Sequence, residues 1–359
     1  MPKSKIKLLV VSGAVLAGLS VVAATVIIIG NKSSGEAQKM SSIQIVSEEL
    51  EPSSVAPSSE SPSSEQPSEA PPAVPAAAAS KKPAASKTPE SRLPEVTHPK
   101  PPVYTRQTVD MSGYTAPDYA VPMQTLQALD NKLRPFGLNT KKKGVRPGVT
   151  AAERDLFDRY GGLVLGADNK NVYLTFDCGY ENGYTHWILD ALKEREVKAV
   201  FFLTHGFAKE NWQIVERMIR EGHTVGGHSV KHKSFPSQTL EQTREEIVSV
   251  DRLIYAEHGY KMSYFRFPMG QYSERQIAAV YALGYKSVFW SFAYVDYEVN
   301  KQPSQTTALN TMTGRLHNGA IYLLHAISKS NALVLGTFID RARAEGYQFP
   351  LLGEETAQQ

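Results

Sequence analysis

The residues of this chain that could do chemistry lie at or near the ends of predicted strands. Two aspartates, an arginine and three histidines share this position: Asp177, His228, His232, Arg266, Asp296 and His325. Because the carboxyl ends of parallel strands meet on one side of a sheet, we expect these side chains to face a common site. Each residue alone has an ordinary explanation, such as a helix cap or a core hydrogen bond. Their shared position favours an active site.

The stretch GGHSVKH, residues 226–232, contains two histidines four positions apart, His228 and His232. This spacing brings both imidazoles to one helical face or across one turn, within reach of a common metal ion. The pattern alone is a weak signal, since it recurs by chance. Cys178 adds a third potential ligand, and a Cys-His-His set leaves a fourth position for water, as catalytic zinc requires. We interpret His223 as structural.

Strand-like and helix-like segments alternate along the second half of the chain. Apolar runs predict strands over residues 172–176, 199–203, 224–226, 264–267, 286–291 and 320–324, with a weaker one over 347–351. Helices between them are predicted to begin at caps provided by Thr185, Thr239, Ser273 and Asn331. This alternation predicts a parallel sheet in a distorted (β/α) barrel, with an open doubly wound sheet as the alternative. No GxGxxG follows the first strand, which argues against dinucleotide binding.

The N-terminal segment has the character of a membrane anchor. Residues 8–29 carry no charge, and a helix of that length spans the ~30 Å hydrocarbon core of a bilayer. Lysines cluster before this segment, so we expect residues 1–30 to form an uncleaved, single-pass anchor at the cell membrane, with the C-terminal domain extracytoplasmic. A cleaved signal peptide is the alternative.

Three further regions follow the anchor. Residues 31–102 are rich in Ser, Pro, Ala and Glu, which predicts a disordered linker. Residues 103–165 are expected to form an N-terminal extension with helices near 123–133 and 151–159, packed on a catalytic domain at 166–355. The formal net charge is only +3, so we expect no nucleic-acid partner. A single cysteine excludes an intrachain disulfide.

Five segments in order, TFDCGYENGYT, GGHSVKH, RFPMGQYSE, FAYVDYEVN and YLLHAIS, resemble the five motifs of polysaccharide deacetylases with a NodB homology domain, carbohydrate esterase family 4. The resemblance extends over about residues 126–352 and is strongest to the delta-lactam-type muramic acid de-N-acetylases. It implies a distorted strand-helix barrel and metal-assisted hydrolysis of an N-acetyl group on a cell-wall sugar.

The resemblance also implies a role for individual residues. Asp177 matches the catalytic base, Arg266 the arginine that orients it, and His325 the general acid. His228 and His232 match the metal ligands. The remaining matches are an acid that supports the arginine or the histidine, a wall against the acetyl methyl group, and an aromatic wall where the family usually has tryptophan: Asp296, Leu323 and Tyr297. Independently of the family, we expect a backbone N–H near Met269, in the turn after Pro268, to stabilise an oxyanion.

Cys178 stands where most family members have a second aspartate as metal ligand. Three interpretations follow, in the order in which we expect them. Cys178 is a thiolate ligand that favours zinc over harder divalent ions, or it is a neighbour that does not bind the metal, or it is a buried small hydrophobe in an inactive site. Retention of Asp177, Arg266, Asp296 and His325 argues against the third.

The resemblance gives N-acetylmuramic acid in peptide-stripped peptidoglycan as the first expected substrate, and N-acetylglucosamine in peptidoglycan as the second. An O-acetyl glycan esterase and a non-catalytic wall-binding protein are the other classes left open. The expected partners are a glycan strand, a divalent metal ion, with zinc first, and the membrane. A cooperating amidase is compatible with the substrate but has no signal in the sequence.

Overall fold

The computed structural model describes residues 99–354 in full and, further toward the N-terminus, the backbone of three strands. The chain divides into two compact units, Met1–Thr88 and Pro89–Gln359. In the first unit, β1 (Leu9–Ala17) pairs with β2 (Ser20–Ile28), and β2 pairs with β3 (Val46–Glu48). Both pairings are antiparallel.

The helix predicted for the N-terminal anchor is therefore corrected to a pair of strands. Nine of residues 8–29 are valine or isoleucine, and their β-branched side chains favour strands over helices. Within the part of the chain that the structure describes, no helix has the length and apolar character to span a bilayer. The predicted linker lies outside the described residues as far as residue 98, apart from the three residues of β3.

The N-terminal extension packs into the same core as the catalytic domain. It contains α1 (Met123–Gln127), β4 (Arg134–Pro135) and α2 (Ala151–Arg159), so the first predicted helix is shorter than expected and the second is confirmed. Phe136, directly after β4, contacts Trp290 with ring centroids 5.2 Å apart. The backbone N–H of Phe136 donates to the carbonyl of Gly270 at 2.8 Å. The extension thus supports loops that belong to the later part of the chain.

Seven strands and seven helices follow the extension within residues 172–344. The strands are β5 (Val172–Cys178), β6 (Val200–Leu203), β7 (Thr224–Gly227), β8 (Tyr264–Phe265), β9 (Gln271–Tyr272), β10 (Lys286–Ser287) and β11 (Ala320–His325). The helices are α3 (Thr185–Glu194), α4 (His205–Glu210), α5 (Trp212–Arg220), α6 (Leu240–His258), α7 (Glu274–Ala282), α8 (Gln305–Thr313) and α9 (Lys329–Ala344). The short β9 pairs with β4 in a separate two-stranded sheet.

Six of these strands form one parallel sheet in the order β10-β8-β7-β6-β5-β11. The chain that leaves β10 then reaches the opposite edge, where the N–H groups of Ser291 and Phe292 donate to the carbonyl of Ile321. The N–H of Leu323 returns a hydrogen bond to Phe292. These contacts curl the sheet into a half-barrel, as predicted, and exclude the open doubly wound alternative.

Strand β5 separates two apolar clusters because its side chains alternate between the sheet faces. Leu174, Phe176 and Cys178 belong to the main core under the helices. Tyr173 belongs to a smaller cluster inside the curl, with Val200, Phe202, Val288, Ile321 and Leu352. Asp177 shares the face of Tyr173, so the curl of the sheet brings its carboxylate to the inner side.

Two of the predicted helix caps are placed differently. Thr185 is the first residue of α3, where its hydroxyl donates to Glu181. Ser328, three residues before the predicted cap Asn331, caps α9. Thr239 and Ser273 cap α6 and α7 as predicted. Helices α4, α5 and α8 were not predicted, and the weak last strand is reduced to one bridge between Asn171 and Gln348.

Candidate active site

The carboxylate of Asp177 is held by a buried arginine. Arg266 Nη1 donates to Asp177 Oδ1 at 2.8 Å, and Nη2 donates to Thr175 Oγ1 at 2.8 Å. Arg266 is completely buried, and its guanidinium lies 4.2 Å from the centre of the Phe202 ring. Further donation to the carbonyls of Val288 and Phe289 fixes the plane of the guanidinium. The arginine therefore aims the carboxylate and neutralises its charge.

The pKa of Asp177 reflects two opposing effects. Burial disfavours the charged carboxylate, but Arg266, with smaller contributions from His228 and His325, lowers its pKa below the ordinary value. Asp177 is consequently ionised at neutral pH, which is the state that a general base requires.

The two histidines of GGHSVKH lie in a loop after β7, and not on a helix as one reading of their spacing suggested. Two residues of this loop have positive φ without being glycine, Ser229 at 72° and His232 at 52°. Glu246 of α6 holds the loop, because its Oε2 accepts N–H groups from Val230 and Lys231 at 2.8 and 2.7 Å. The imidazole rings of His228 and His232 lie 4.9 Å apart.

These imidazoles fit the requirements for a divalent metal ion. His228 Nδ1 lies 2.9 Å from the carbonyl of Arg266 and donates to it, which leaves the lone pair of Nε2 free. Nε2 lies 3.5 Å from Asp177 Oδ2. Burial lowers the pKa of His228 to about 4, and partial desolvation lowers the pKa of the more exposed His232. Both rings are therefore neutral and can offer a lone pair to a metal ion. Within residues 99–354, no group of three His, Cys, Asp or Glu side chains is arranged around one point.

The structure corrects the expectation that Cys178 is a metal ligand. Neighbouring residues of a strand point to opposite faces, so Cys178 faces the helices while Asp177 faces the cleft. The thiol is fully buried in the main core, and Sγ lies 4.0 Å from the carbonyl oxygen of Phe176. Burial, followed by the charges of Asp177 and Glu181, raises its pKa well above the ordinary value. Cys178 is thus a protonated, apolar residue of the main core.

His325 ends β11 and is paired with a completely buried carboxylate. Its Nδ1 lies 2.7 Å from Asp296 Oδ1, and its backbone N–H donates to Asp296 Oδ2 at 2.8 Å. Burial lowers the pKa of His325, but the charge and hydrogen bond of Asp296 outweigh this effect and raise the pKa above its ordinary value. Of the two roles left open for Asp296, the structure shows support of the histidine, while Arg266 is paired with Asp177.

An open cleft of about 900 Å³ joins these groups. Asp177, His228, His232 and His325 all line it, so the structure brings the base, ligand and acid candidates together. Three further predicted residues also line the cleft: Leu323, Met269 and Tyr297. Tyr297 is 51% exposed and contacts His325 with ring centroids 5.4 Å apart. Met269 has a φ of 56° in the turn after Pro268.

Comparison with known proteins decides the family. A family model described as polysaccharide deacetylase matches residues 166–288. The chain is 37% identical over 225 residues to the peptidoglycan-N-acetylmuramic acid deacetylase PdaA of Bacillus subtilis, which covers 62% of this chain and 86% of that protein. The chain belongs to the polysaccharide deacetylase family.

Solved structures agree with this assignment. The deacetylase superposes on Bacillus subtilis PdaA, a family 4 carbohydrate esterase, with a TM-score of 0.60 over 62% of this chain and 97% of that one. A family 4 carbohydrate esterase from Bacillus anthracis gives 0.53 with 39% identity, over 63% and 96%. A peptidoglycan-N-acetylglucosamine deacetylase of Bacillus cereus is 30% identical over 200 residues, which are 54% of this chain and 72% of that protein. The predicted family and its hydrolase class are confirmed, and such deacetylases are generally metal-dependent.

Several residues of the deacetylase site were missed by sequence reasoning. Thr175 could have been found, because it lies two positions before Asp177 and hence on the same strand face. Tyr294 and Trp290 line the cleft within an aromatic run that was interpreted only as strand and motif. Glu246 and Asn331 lie on helices far along the chain, and only the fold shows that their side chains reach the site.

Removing the thiol tests the corrected position of Cys178. We expect Cys178→Ala to retain the metal affinity and activity of the wild-type deacetylase, because Sγ contacts only the core. Stability should fall by about 1 kcal/mol, the cost of a small core cavity. Metal titration by calorimetry and urea unfolding measure the two quantities. A loss of metal affinity of about tenfold or more, in a variant that folds normally, would instead support Cys178 as a thiolate ligand.

Proposed function

We propose that this deacetylase hydrolyses the N-acetyl group of N-acetylmuramic acid in peptide-stripped peptidoglycan and releases acetate. The observation that carries the proposal is the arrangement around the cleft. An ionised Asp177 paired with Arg266 and a His325 paired with Asp296 face one space, beside two neutral imidazoles. A base and an acid whose pKa values are shifted apart are what amide hydrolysis at neutral pH requires.

The proposed roles follow from the chemistry of an acetamide. Asp177 removes a proton from the attacking water, whose oxygen bonds to the acetyl carbon. His325 donates a proton to the sugar nitrogen as the C–N bond breaks, because an amine anion is a very poor leaving group. The products are acetate and the free amino sugar. The backbone N–H of Met269 is proposed to stabilise the negative oxygen, and Leu323 to contact the acetyl methyl group.

We propose Zn²⁺ as the metal ion, held by His228 and His232. Imidazole nitrogens suit zinc, and the free Nε2 of His228 supports this assignment. When bound, the metal would polarise the acetyl carbonyl and lower the pKa of water. Catalytic zinc usually has three protein ligands. With Cys178 on the other face, we expect weaker binding than in a three-ligand site.

The cleft also supports muramic acid over glucosamine as substrate. Muramic acid carries a lactyl carboxylate once its peptide is removed, whereas N-acetylglucosamine has no charge. Lys231, between the two metal-binding histidines, is the one lysine or arginine among the described residues that line the cleft. Its exposed ammonium group complements a carboxylate on the bound sugar. Tyr180 and Tyr297, each 51% exposed at the cleft, offer aromatic faces to sugar rings.

Exchanging Lys231 tests this assignment. We expect Lys231→Met to raise the KM for peptide-stripped glycan about two- to fivefold, as the loss of an exposed ion pair predicts, and to leave kinetics on N-acetylglucosamine oligomers unchanged. Lys233→Met, at an exposed lysine outside the cleft lining, is the matched control. An equal change in KM on both substrates would show that Lys231 does not recognise the lactyl carboxylate.

The proposed function is tested by acetate release from peptide-stripped peptidoglycan, with zinc and after chelation. Release that requires the metal supports the proposal, and release after chelation at the same rate contradicts its metal dependence. Parallel assays on peptide-bearing peptidoglycan and on N-acetylglucosamine oligomers distinguish N-acetylmuramic acid from N-acetylglucosamine as the substrate. O-acetylated glycans test the esterase alternative, because the same groups would hydrolyse an ester more readily than an amide. Binding without turnover on every glycan would favour the non-catalytic alternative.

We also propose that the deacetylase acts outside the cytoplasm, at the cell membrane, with residues 31–102 as the spacer to the wall. The location of peptidoglycan supports this proposal. An amidase that removes the peptide would supply the substrate. Cell fractionation and protease accessibility of the C-terminal domain in spheroplasts test the location, and full protection from external protease would contradict it.

A further inference from the structure

We infer that Asn331 is a positioning residue for the proposed acid, holding the carboxylate of Asp296 in the orientation that His325 needs. The inference rests on the proposed function, since it concerns the acid of that reaction. Asn331 lies in the first turn of α9 and is fully buried. A buried amide requires partners for its donors and its acceptor, and here the partners all belong to the acid side of the cleft.

The contacts of Asn331 determine the orientation of its amide. Nδ2 donates to Asp296 Oδ2 at 2.6 Å and to the backbone carbonyl of His325 at 3.2 Å. Oδ1 accepts the hydroxyl proton of Tyr294. A flipped amide would turn its oxygen toward a carboxylate and a carbonyl, which are both acceptors. The network therefore permits only one orientation.

Asn331 completes the set of donors around Asp296. The carboxylate accepts hydrogen bonds from the backbone N–H and Nδ1 of His325 and from Asn331 Nδ2. These donors come from β11 and α9, so the carboxylate is held from two sides. An oriented carboxylate keeps the proton on Nδ1 of His325 and directs Nε2 away from Asp296, toward the space where the leaving amine must lie.

Helix capping does not account for the side chain of Asn331. Ser328 is the cap of α9, and its Oγ accepts the backbone N–H of Asn331 at 3.1 Å. The helix start thus uses the backbone of Asn331 and leaves the amide group for Asp296. Tyr294 lines the cleft and donates its hydroxyl to Asn331, so a cleft-lining residue supports the same amide.

Two substrates that differ in leaving group test the inference in the full-length enzyme. An acetylated sugar amine needs a proton to leave, whereas the p-nitrophenolate of p-nitrophenyl acetate leaves without one. We expect Asn331→Ala to lower kcat on the glycan about 10-fold to 100-fold, the effect of losing a hydrogen bond to a charged group, with KM unchanged. The rate of aryl acetate hydrolysis should fall less than about threefold, which is less than the loss of one neutral hydrogen bond would cause. Tyr294→Phe should cause a smaller loss on the glycan in the same direction.

Ser330→Ala is the matched control, because it removes a hydrogen bond to the carbonyl of Pro303 in the same helical turn without touching Asp296. We expect it to leave the glycan kcat near wild type. Equal losses on both substrates in Asn331→Ala, or an equal loss on the glycan in Ser330→Ala, would show that Asn331 only stabilises the fold.

The proton on Nδ1 of His325 provides a readout that does not depend on the glycan. Its hydrogen bond to Asp296 should give a downfield proton resonance in wild type and in Ser330→Ala, and this resonance should shift upfield or broaden in Asn331→Ala. If wild type releases no acetate from any N-acetylated glycan, the proposed function fails and this resonance alone decides the inference. The same resonance position in all three proteins would overturn it.

Discussion

Asp177→Asn is expected to release acetate about 10²- to 10⁴-fold more slowly than wild type, the usual contribution of a general base. Asparagine has nearly the shape of aspartate and still offers an oxygen to Arg266, but it cannot take the proton of the attacking water. We expect kcat to fall with little change in KM. Both the glycan and the aryl acetate should be affected, because both reactions need the base. Activity above about a tenth of wild type on either substrate would contradict the role of Asp177.

The same substitution should change stability in a pH-dependent way. The folded-state pKa of Asp177 is lowered, so the pair with Arg266 contributes stability above the ordinary carboxyl pKa of about 3.9, and this contribution is lost as pH falls through the lower folded value. Asp177→Asn leaves Arg266 buried without a countercharge, at a cost of about 3–5 kcal/mol near pH 7. Urea unfolding at a series of pH values should show the difference from wild type narrowing in strong acid. A difference that stays constant across that range would mean that the pair contributes no ionic stability.

The second large effect is expected for His325→Ala. Loss of the proton donor should lower kcat on the glycan about 10²- to 10⁴-fold, whereas the aryl acetate should be hydrolysed at a much larger fraction of the wild-type rate. This contrast with Asp177→Asn separates acid from base. Because Asp296 raises the pKa of His325, we expect the wild-type kcat to decline on the alkaline side only above the ordinary histidine pKa of about 6.5. An alkaline limb at or below that value would contradict the pairing.

The raised pKa of His325 also makes stability depend on pH, with the opposite sign to the dependence caused by Asp177. A raised folded pKa means that the pair of His325 with Asp296 contributes stability that is fully present below about pH 6.5 and is lost as pH rises through the folded pKa. His325→Ala lacks this contribution, so its deficit in unfolding free energy should be largest at mildly acidic pH. Thermal unfolding of both proteins between about pH 5 and 9 measures it. If the deficit in unfolding free energy instead grew with rising pH, protonated His325 would not be the form that the pair with Asp296 stabilises.

The central sheet could be predicted from the sequence because its strands are buried on both faces and therefore appear as short apolar runs. The caps at Thr239 and Ser273 were predictable from local chemistry, since each hydroxyl accepts the N–H three residues later. The start of α9 was not, because Ser328 and Asn331 are both good capping residues. Only the position of Asp296 across the fold shows that the amide of Asn331 has another partner.

The candidate site was predictable where it depends on strand ends and not where it depends on side-chain direction. The parallel order of the strands brings Asp177 beside His325 and within hydrogen-bond distance of Arg266. The prediction of Cys178 as a metal ligand was wrong because it followed from nearness in sequence to Asp177. Neighbouring residues of a strand point to opposite faces, and the sequence alone would have indicated this. The N-terminal helix was predicted from length and lack of charge, but length and charge do not exclude a pair of β-branched strands.

The parallel pairing of β5 with β11 also sets an order of events for a chain synthesised from its N-terminus. Asp177 is paired with His325 across a very long loop in sequence, and such distant pairings form late, after the loop-closure entropy has been overcome. His228 and His232, only four residues apart, can come together once α6 has docked its Glu246. In the nascent domain, we therefore expect the proposed metal-binding pair to form before the proposed acid is in place. We therefore expect deacetylase activity only after β11 has paired with β5, because that pairing brings His325 beside Asp177.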